Sequence, residues 1–370
     1  MYIVTDLAPS AVTGISEAFG LNASGSVVGQ LDAALGFVWI PNQPNGTSGS
    51  EQRLPTLMPV TANLRSDCVA FAINTAGDIV GRCEAVDANN TPVHRAFLLK
   101  SGTMTMTDLG TLVPDLANPG FFLGNSEARG LNDSGQVVGV SDDTLPSEHA
   151  FFLDTTVGPR FMRDLFSLVP PSMLPGPADP SVANAINNSG MVVGTASAAD
   201  AAGNIVQHAF FWSQTAFGLT DLGTLIPDPA NPGRFLGESS AQAVNDVGQI
   251  AGDSDSLPPG AGALRLAATF GQPPVVLMAG PNPCVATSIN DNPAGVEAVG
   301  WFVSGMSPSG PLTSGLYVSN MKGVVDLNTQ LSTPDWTIQK AMGINNSGQI
   351  CGIGAHATLG GPRAILLTPT

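Results

Sequence analysis

The chain has 370 residues, 13 basic against 29 acidic side chains and a net charge of −16, and only 11% of it is charged against 43% hydrophobic. That balance excludes a nucleic-acid partner, which needs a Lys/Arg footprint, disfavours an anionic membrane surface, and argues against global disorder. With 43 glycines and 30 prolines the chain is too punctuated for many long helices, so an all-β fold is expected.

Taken in chain order, Tyr2 to Leu7 reads as a short strand whose Thr5-Asp6-Leu7 returns as Thr107-Asp108-Leu109 and Thr220-Asp221-Leu222. One phrase then recurs seven times: Ala-x-small-aliphatic-Asn, a turn with Gly, and an aliphatic run ending in Gly. Its copies span 18–29, 70–81, 128–139, 183–194, 241–252, 286–300 and 341–352, the sixth made irregular by Pro293. The asparagines Asn22, Asn74, Asn132, Asn187, Asn245, Asn290 and Asn345 recur about every 54 residues. Each is expected to open a tight turn by bonding the backbone two residues on, so each copy predicts a hairpin of two strands, a and b.

Aromatic and branched runs follow each hairpin as strand c, at 37–39, 96–98, 149–152, 208–212, 268–270, 316–318 and 364–366. Strand d carries Asp-Leu at Asp108-Leu109, Asp164-Leu165, Asp221-Leu222 and Asp326-Leu327, with divergent versions at Leu54 and Val276-Leu277. The seventh copy stops after strand c, and the strand at Tyr2–Leu7 is the missing strand d. These repeats predict a single-domain, seven-bladed β-propeller of four-stranded blades over 1–370, with the N-terminal strand closing the last blade. The blades fall near 8–57, 58–112, 113–168, 169–225, 226–279, 280–331, and 332–370 plus 1–7.

The His-Ala-Phe strands, the Asp-Leu-Gly-Thr-Leu strands and the Asn-x-Ser-Gly-x-Val-Val-Gly hairpins resemble the HAF-repeat family of bacterial extracellular repeat proteins. The resemblance covers nearly the whole chain and implies an extracellular or cell-surface protein; it brings no established activity. Blades one, five, six and seven lack the His-Ala-Phe triplet, and the twin loops after Val113-Pro114-Asp115 and Ile226-Pro227-Asp228 are longer than the family's glycine turn. Those loops are where a function is expected to be added. The start Met1-Tyr2-Ile3-Val4 lacks a signal-peptide pattern, so either the protein stays inside the cell or its leader is absent from this chain.

No apolar run reaches the roughly 20 residues of a membrane-spanning helix. The four cysteines include no Cys-x-x-Cys pair, which leaves zinc unsuggested. Cys68 and Cys83 fall opposite each other across their hairpin and form a candidate bridge, leaving Cys284 and Cys351 outside it. His94, His149 and His208 sit at the start of strand c and are read as structural, since equivalent outer-strand positions on successive blades diverge too far to share a metal.

Within strand a, one position varies while its neighbours stay small: Phe19, Phe71, Arg129, Asn184, Gln242, Thr287 and Met342. Arg129, Asn184 and Gln242 lie on adjacent blades and are candidate ligand-binding groups lining the upper channel; bonding between blades is the alternative. Trp301 and Trp336, assigned to the long loops, are candidate sugar-stacking indoles, whereas Trp39 and Trp212 belong to the core. The d-to-a and b-to-c loops gather Asp142, Asp143, Asp253 and Asp255, a candidate Ca²⁺ set, or carboxylates for a glycosidic bond, against the alternative of a solvated acidic surface. No nucleophile elbow, phosphate loop or cofactor motif is present. The expected function is a non-enzymatic extracellular binding or scaffold propeller that recognises a glycan or protein; the alternative is a hydrolase or lyase of an extracellular polymer. The sequence carries no signature of oligomeric state.

Overall fold

The computed structural model describes residues 1–32, 34–58, 67–87, 89–144, 147–158, 161–169, 179–200, 203–256, 265–270, 275–276, 282–292, 295–308, 310–319 and 322–370. Pro293 and Leu277, singled out in the sequence, lie outside these. Among the described residues twenty-eight strands form seven four-stranded antiparallel sheets, and the chain is an all-β, seven-bladed β-propeller. Among the described residues helix is confined to a 3₁₀ turn, Leu327–Gln330, and no helix is long and apolar enough to cross a membrane.

The first blade holds β2 (Ser16–Leu21), β3 (Val27–Leu31), β4 (Leu35–Pro41) and β5 (Gly49–Arg53), and the second β6 (Cys68–Ile73), β7 (Ile79–Val86), β8 (Pro92–Leu99) and β9 (Met106–Asp108). The third holds β10 (Ser126–Leu131), β11 (Gln136–Asp142), β12 (Glu148–Asp154) and β13 (Arg163–Asp164). In the fourth are β14 (Ser181–Ile186), β15 (Val192–Ala199), β16 (Ile205–Trp212) and β17 (Thr220–Gly223). The fifth has β18 (Ser239–Val244), β19 (Ile250–Asp255), β20 (Arg265–Thr269) and β21 (Val275–Val276); the sixth has β22 (Cys284–Ile289), β23 (Glu297–Ser307), β24 (Gly310–Ser319) and β25 (Gly323–Asp326). The seventh joins β26 (Trp336–Ile344), β27 (Ile350–His356) and β28 (Arg363–Pro369) to β1 (Tyr2–Asp6), in the order β1-β28-β27-β26. Tyr2 pairs with Pro369 and Asp6 with Ile365, so the N-terminal strand is the outer strand of the last sheet.

The contacts group the chain into two compact units, one of residues 1–85, 97–108 and 287–370, the other of 86–96 and 109–286. The core of the first runs through Phe37, Trp39 and Leu366, through Cys68, Ala70 and Phe97, and through Leu327, Ile338 and Ile365. That of the second runs through Phe152, Phe210 and Trp212, and through Leu222, Ala241 and Phe270. The third-strand rings Phe37, Phe97, Phe151 and Phe210 are fully buried, each contributing about 1.5–3 kcal/mol. Trp39 and Trp212 are core residues, as their strand ends predict.

The variable position of the first strand has a backbone cause. The register slips between Ala18 and Gly20, Ala70 and Ala72, Ala128 and Gly130, Ala183 and Ala185, Ala241 and Ala243, and Ala341 and Gly343. Phe19, Phe71, Arg129, Asn184, Gln242 and Met342 are therefore the extra residues of β-bulges, released from ladder pairing and from its packing rule. The glycine ending the repeat sits across the ladder from this bulge. A Cβ on Gly139 or Gly194 would lie 1.9 Å from the carbonyl oxygen of Glu127 or Val182, a separation no side chain can occupy.

The repeat asparagines do more than open their turns. In the second unit Asn187 accepts at Oδ1 from the backbone N–H groups of Ser189 and Met191, 3.1 and 2.9 Å away, and its Nδ2 donates 2.9 Å to the carbonyl of Asn245 in the next blade. Asn132 donates in the same way to Asn187 at 3.0 Å. In the first unit the relay runs from Asn290 to Asn345, from Asn345 to Asn22, and from Asn22 to Asn74. Buried serines add a second tie that the sequence reading did not single out. Ser126, Ser181 and Ser239 each accept 2.9 Å from the amide of the third-strand alanine of the preceding blade, Ala96, Ala150 and Ala209.

Cys68 and Cys83 are register partners joined by a disulfide. Cys284 and Cys351 are buried, and burial pushes the Cys351 thiol up to about 12.

Candidate functional site

In the second unit, the residue before the third-strand alanine is a basic group that ties the strand to its surroundings. His208 holds Asp221 of β17 through Nδ1, 2.9 Å away, and Arg95 donates to the carbonyl of Phe122 at 2.6 Å. In the first unit Arg363 holds Asp6 of β1 at 2.6 Å. Arg95, rather than His94, occupies this station in the second blade. His208 thus has a defined partner, the strand-d aspartate, whereas His94 does not take this station.

The third blade elaborates the station. His149, buried to 3% exposure, has its Nδ1 3.0 Å from Asp164 Oδ2 and 3.0 Å from Asp143 Oδ2, while its Nε2 lies 3.3 Å from Asp179 Oδ1. Burial alone would depress the imidazole; the hydrogen bond and charge of Asp164, with Asp179 and Asp143 behind them, outweigh it and push His149 up to about 9. Phe166, next to this group, adopts φ +60° where the sister positions carry Gly110 and Gly223. Its amide donates 2.7 Å to Asp164 Oδ1, and its ring meets the His149 ring edge-on at 6.0 Å. In the fourth blade that edge contact on His208 comes from Phe235, in the twin loop, so Phe166 supplies locally what the next loop supplies elsewhere.

Of the four aspartates proposed from the sequence as a Ca²⁺ set, Asp143 alone joins this group. Asp142 accepts from the Asn125 amide at 2.7 Å and Asp255 from the Glu238 amide at 2.9 Å, beside Gly124 and Gly237, so each pins the start of its blade. Asp253 is a buried residue of β19. Asp115 and Asp228 accept from the amides of Ala117 and Ala230 and from the side chains of Asn118 and Asn231; those side-chain bonds, ahead of the backbone ones, hold both carboxyls below the usual range. Asp253 and Asp255 are buried rather than solvated, as are Asp115 and Asp228 in the twin loops, and the oxygens of Asp115, Asp228 and Asp255 accept from backbone amides in place of water.

Arg129 and Asn184 are brought together, Nη1 to Oδ1 3.0 Å, with Glu127 2.7 Å from Arg129 Nε and Asn184 donating 2.9 Å to Ala241 in the following blade. Gln242 bonds Ser240, which meets Thr195 at 2.6 Å. Trp301 and Trp336 lie in strands rather than loops, because β23 and β24 extend into a long hairpin and β26 begins at Trp336. Lys340 lies 5.3 Å over the Trp301 ring, and His356 meets Trp336 edge-on at 4.9 Å.

Two features escaped the sequence reading. In the first unit a cleft of about 400 Å³ opens beside the short turns, lined by Val38, Ile40, Leu54, Ile73, Leu99 and Met104, with Lys100 paired to Asp78 at 2.8 Å. In the second, the first twin loop is folded back on itself by a Pro114 to Phe122 bridge, with Thr111 donating 2.8 Å to Leu123. It holds Leu116 and Phe121 out at 90% and 61% exposure. Leu116 stands alone between Asp115 and Ala117, and Phe121 heads the run Phe121-Phe122-Leu123, so no period in the sequence marks either as exposed.

Among solved structures the chain is similar to the β-propeller domain of the trilobed protease from Pyrococcus furiosus, at 11% identity over 96% of this chain and 95% of that one, with a TM-score of 0.53. It also matches a protein of unknown function from Dyadobacter fermentans (12% identity, 99% and 96% covered, TM-score 0.38) and Trypanosoma rangeli sialidase (8%, 99% and 55%, TM-score 0.40). At these identities the first shows the fold alone. No curated protein matches the chain. The model of a family described as proteins of unknown function, DUF3466, matches residues 32–253, more than half of the chain, and the protein belongs to that family.

Proposed function

We propose that this is an exported, non-enzymatic binding or scaffold propeller that engages a protein or glycan through the loops joining strand d to strand a and strand b to strand c. The observation that carries this reading is the first twin loop. Asp115, Asn118, Thr111 and the Pro114 bridge fix its backbone, so that Leu116 and Phe121 stand exposed on a rigid support. Apolar side chains held out on a pinned loop lose little entropy on binding and suit a protein surface. The Cys68–Cys83 bridge supports export, because such bonds persist in oxidising compartments.

The hydrolase reading asks for a carboxyl with a raised pKa to act as the general acid. Asp115 and Asp228 are shifted the other way, and Asp142 and Asp255 serve backbone amides. These assignments favour recognition over turnover.

The test is partner capture from the extracellular fraction by immobilised protein, followed by affinity measurement with the purified partner, alongside a glycan array. Leu116→Ser with Phe121→Ser is expected to weaken binding at least 10-fold with an unchanged melting temperature. Full binding by that variant, or polymer turnover by the wild type, would reject the proposal.

A further inference from the structure

The His149 group holds more carboxylates than the fold requires. In the fourth blade His208 and Asp221 make the same strand tie. Ser141 pairs with His149 and Ala196 with His208, so Asp143 corresponds to Ala198. Ser181 and Ser239 cap equivalent alanines, so Asp179 corresponds to Gly237. The third blade has thus added two carboxylates, one on each nitrogen of a buried imidazole.

A single N–H on Nδ1 points at one acceptor, yet two carboxylate oxygens lie 3.0 Å from it. Asp164 Oδ1 is meanwhile engaged by the Phe166 amide, which leaves Oδ2 facing the imidazole. On the other side Nε2 is buried and makes no aligned hydrogen bond, although Asp179 Oδ1 is 3.3 Å away. We propose that Asp143, His149 and Asp164 bind a first-row divalent cation of the Zn²⁺ or Mn²⁺ type, with Asp179 as the outer partner that orients the imidazole.

The ligand atoms of the three lie within 4.8 Å of one another. Ligands at about 2.0–2.2 Å from a tetrahedral ion stand roughly 3.4 Å apart, so the 3.0 Å contacts need to open by only a few tenths of an ångström. With the ion bound, a small turn of the ring would align Nε2–H with Asp179 Oδ1, 3.3 Å away, and hold the tautomer whose Nδ1 lone pair is on the ion, the usual arrangement of a metal-bound histidine with its outer carboxylate. An imidazole nitrogen with two carboxylates suits a first-row ion, whereas Ca²⁺ takes six to eight oxygens. The reaction is a simple exchange: the ion binds at Nδ1 and the two oxygens, and the proton held at Nδ1 leaves to solvent. The inference does not depend on the binding role proposed for the twin loop, which uses other residues.

The experiment is calorimetric titration of the EDTA-treated full chain with Zn²⁺, Mn²⁺ and Ca²⁺ in turn at pH 7, together with the visible absorption of the Co²⁺ form. One ion per chain, proton release on binding and a higher melting temperature are expected. Asp143→Ala reproduces the state of the fourth blade at Ala198 and is expected to weaken binding at least 10-fold while remaining folded. Asp179→Gly, which copies Gly237, is expected to weaken it 10- to 100-fold, and His208→Gln to leave it unchanged. The proposal is overturned if neither Zn²⁺ nor Mn²⁺ binds at one per chain, if only Ca²⁺ does, or if folded Asp143→Ala and Asp179→Gly bind as the wild type. Should Asp143→Ala fail to fold, Asp179→Gly and the Co²⁺ spectrum decide the matter on their own.

Discussion

Asn345 donates its side-chain amide to the backbone carbonyl of Asn22 at 3.2 Å, across 323 residues of sequence, and Asn22 hands the same bond on to Asn74 at 3.0 Å. Asn345 and Asn22 each close their own turn with Oδ1 and clasp the next blade with Nδ2, so one side chain satisfies donors and acceptors in two sheets.

Replacing Asn187 with alanine removes the bonds to Ser189, Met191 and Asn245 and leaves the Met191 amide without its Oδ1 acceptor, while the Asn245 carbonyl keeps the Gly248 amide. At about 1 kcal/mol per bond plus the desolvation of the orphan, a loss of roughly 2–4 kcal/mol is expected. Urea denaturation read at fixed m-value checks it, and a loss below 1 kcal/mol would reduce Asn187 to a local turn former.

Deleting residues 1–8 removes β1 and uncovers the outer edge of β28, together with the Asp6 partner of buried Arg363. A fall of about 10 °C or more in melting temperature is expected, with concentration-dependent aggregation through the bare edge. Differential scanning calorimetry and light scattering measure both, and an unchanged transition would show that the seventh blade stands without its fourth strand.

Reduction of Cys68–Cys83 opens a loop of 15 residues. Constraint of so short a loop corresponds to at most about 3 kcal/mol. The reduced protein should remain folded at 25 °C and melt earlier, as should Cys68→Ser with Cys83→Ser. Finding all four thiols titratable in unfolded, unreduced protein would show that the bridge does not form.

The acid limb of stability should include Asp78. Burial raises its carboxyl, but Lys100 and the Ser101 amide outweigh this and hold it below 3.8. A lowered folded value means stability that is complete above the unfolded pKa of about 3.9 and is lost as pH falls through the folded one. Asp78→Asn should be less stable than the wild type at pH 6, with the difference narrowing towards pH 3. A difference that stayed constant across that range would place the effect in packing instead.

The blades were legible because seven hairpins need the same turn chemistry, and the strand at Tyr2 to Asp6 could be assigned by its likeness to Thr107-Asp108-Leu109. The bulge was visible only as irregularity. Phe19, Arg129 and Met342 share a backbone event and no side-chain property, so periodicity has nothing to register. The His149 group was hidden for a different reason. Comparing His94, His149 and His208 across blades asks only whether they share one ion, whereas Asp143, Asp164 and Asp179 approach a single imidazole from a b-to-c loop, a fourth strand and a d-to-a loop. Three such segments meet only once the sheet has folded. Trp301 was misplaced because β23 and β24 of the sixth blade outrun the repeat, reaching 11 and 10 residues, and Trp336 because β26 of the seventh begins at that residue and runs for 9.

The pairing of Tyr2 with Pro369 and the 3.0 Å bond from the Thr370 amide to the Met1 carbonyl bring the two chain ends side by side. The strand order is then indifferent to where the polypeptide is interrupted. A short linker across these ends, with new termini cut at the open turn around Gly102, would preserve every sheet by circular permutation while moving the latch from the seventh blade to the second. Any module fused at either present end would leave from the same corner of the seventh blade.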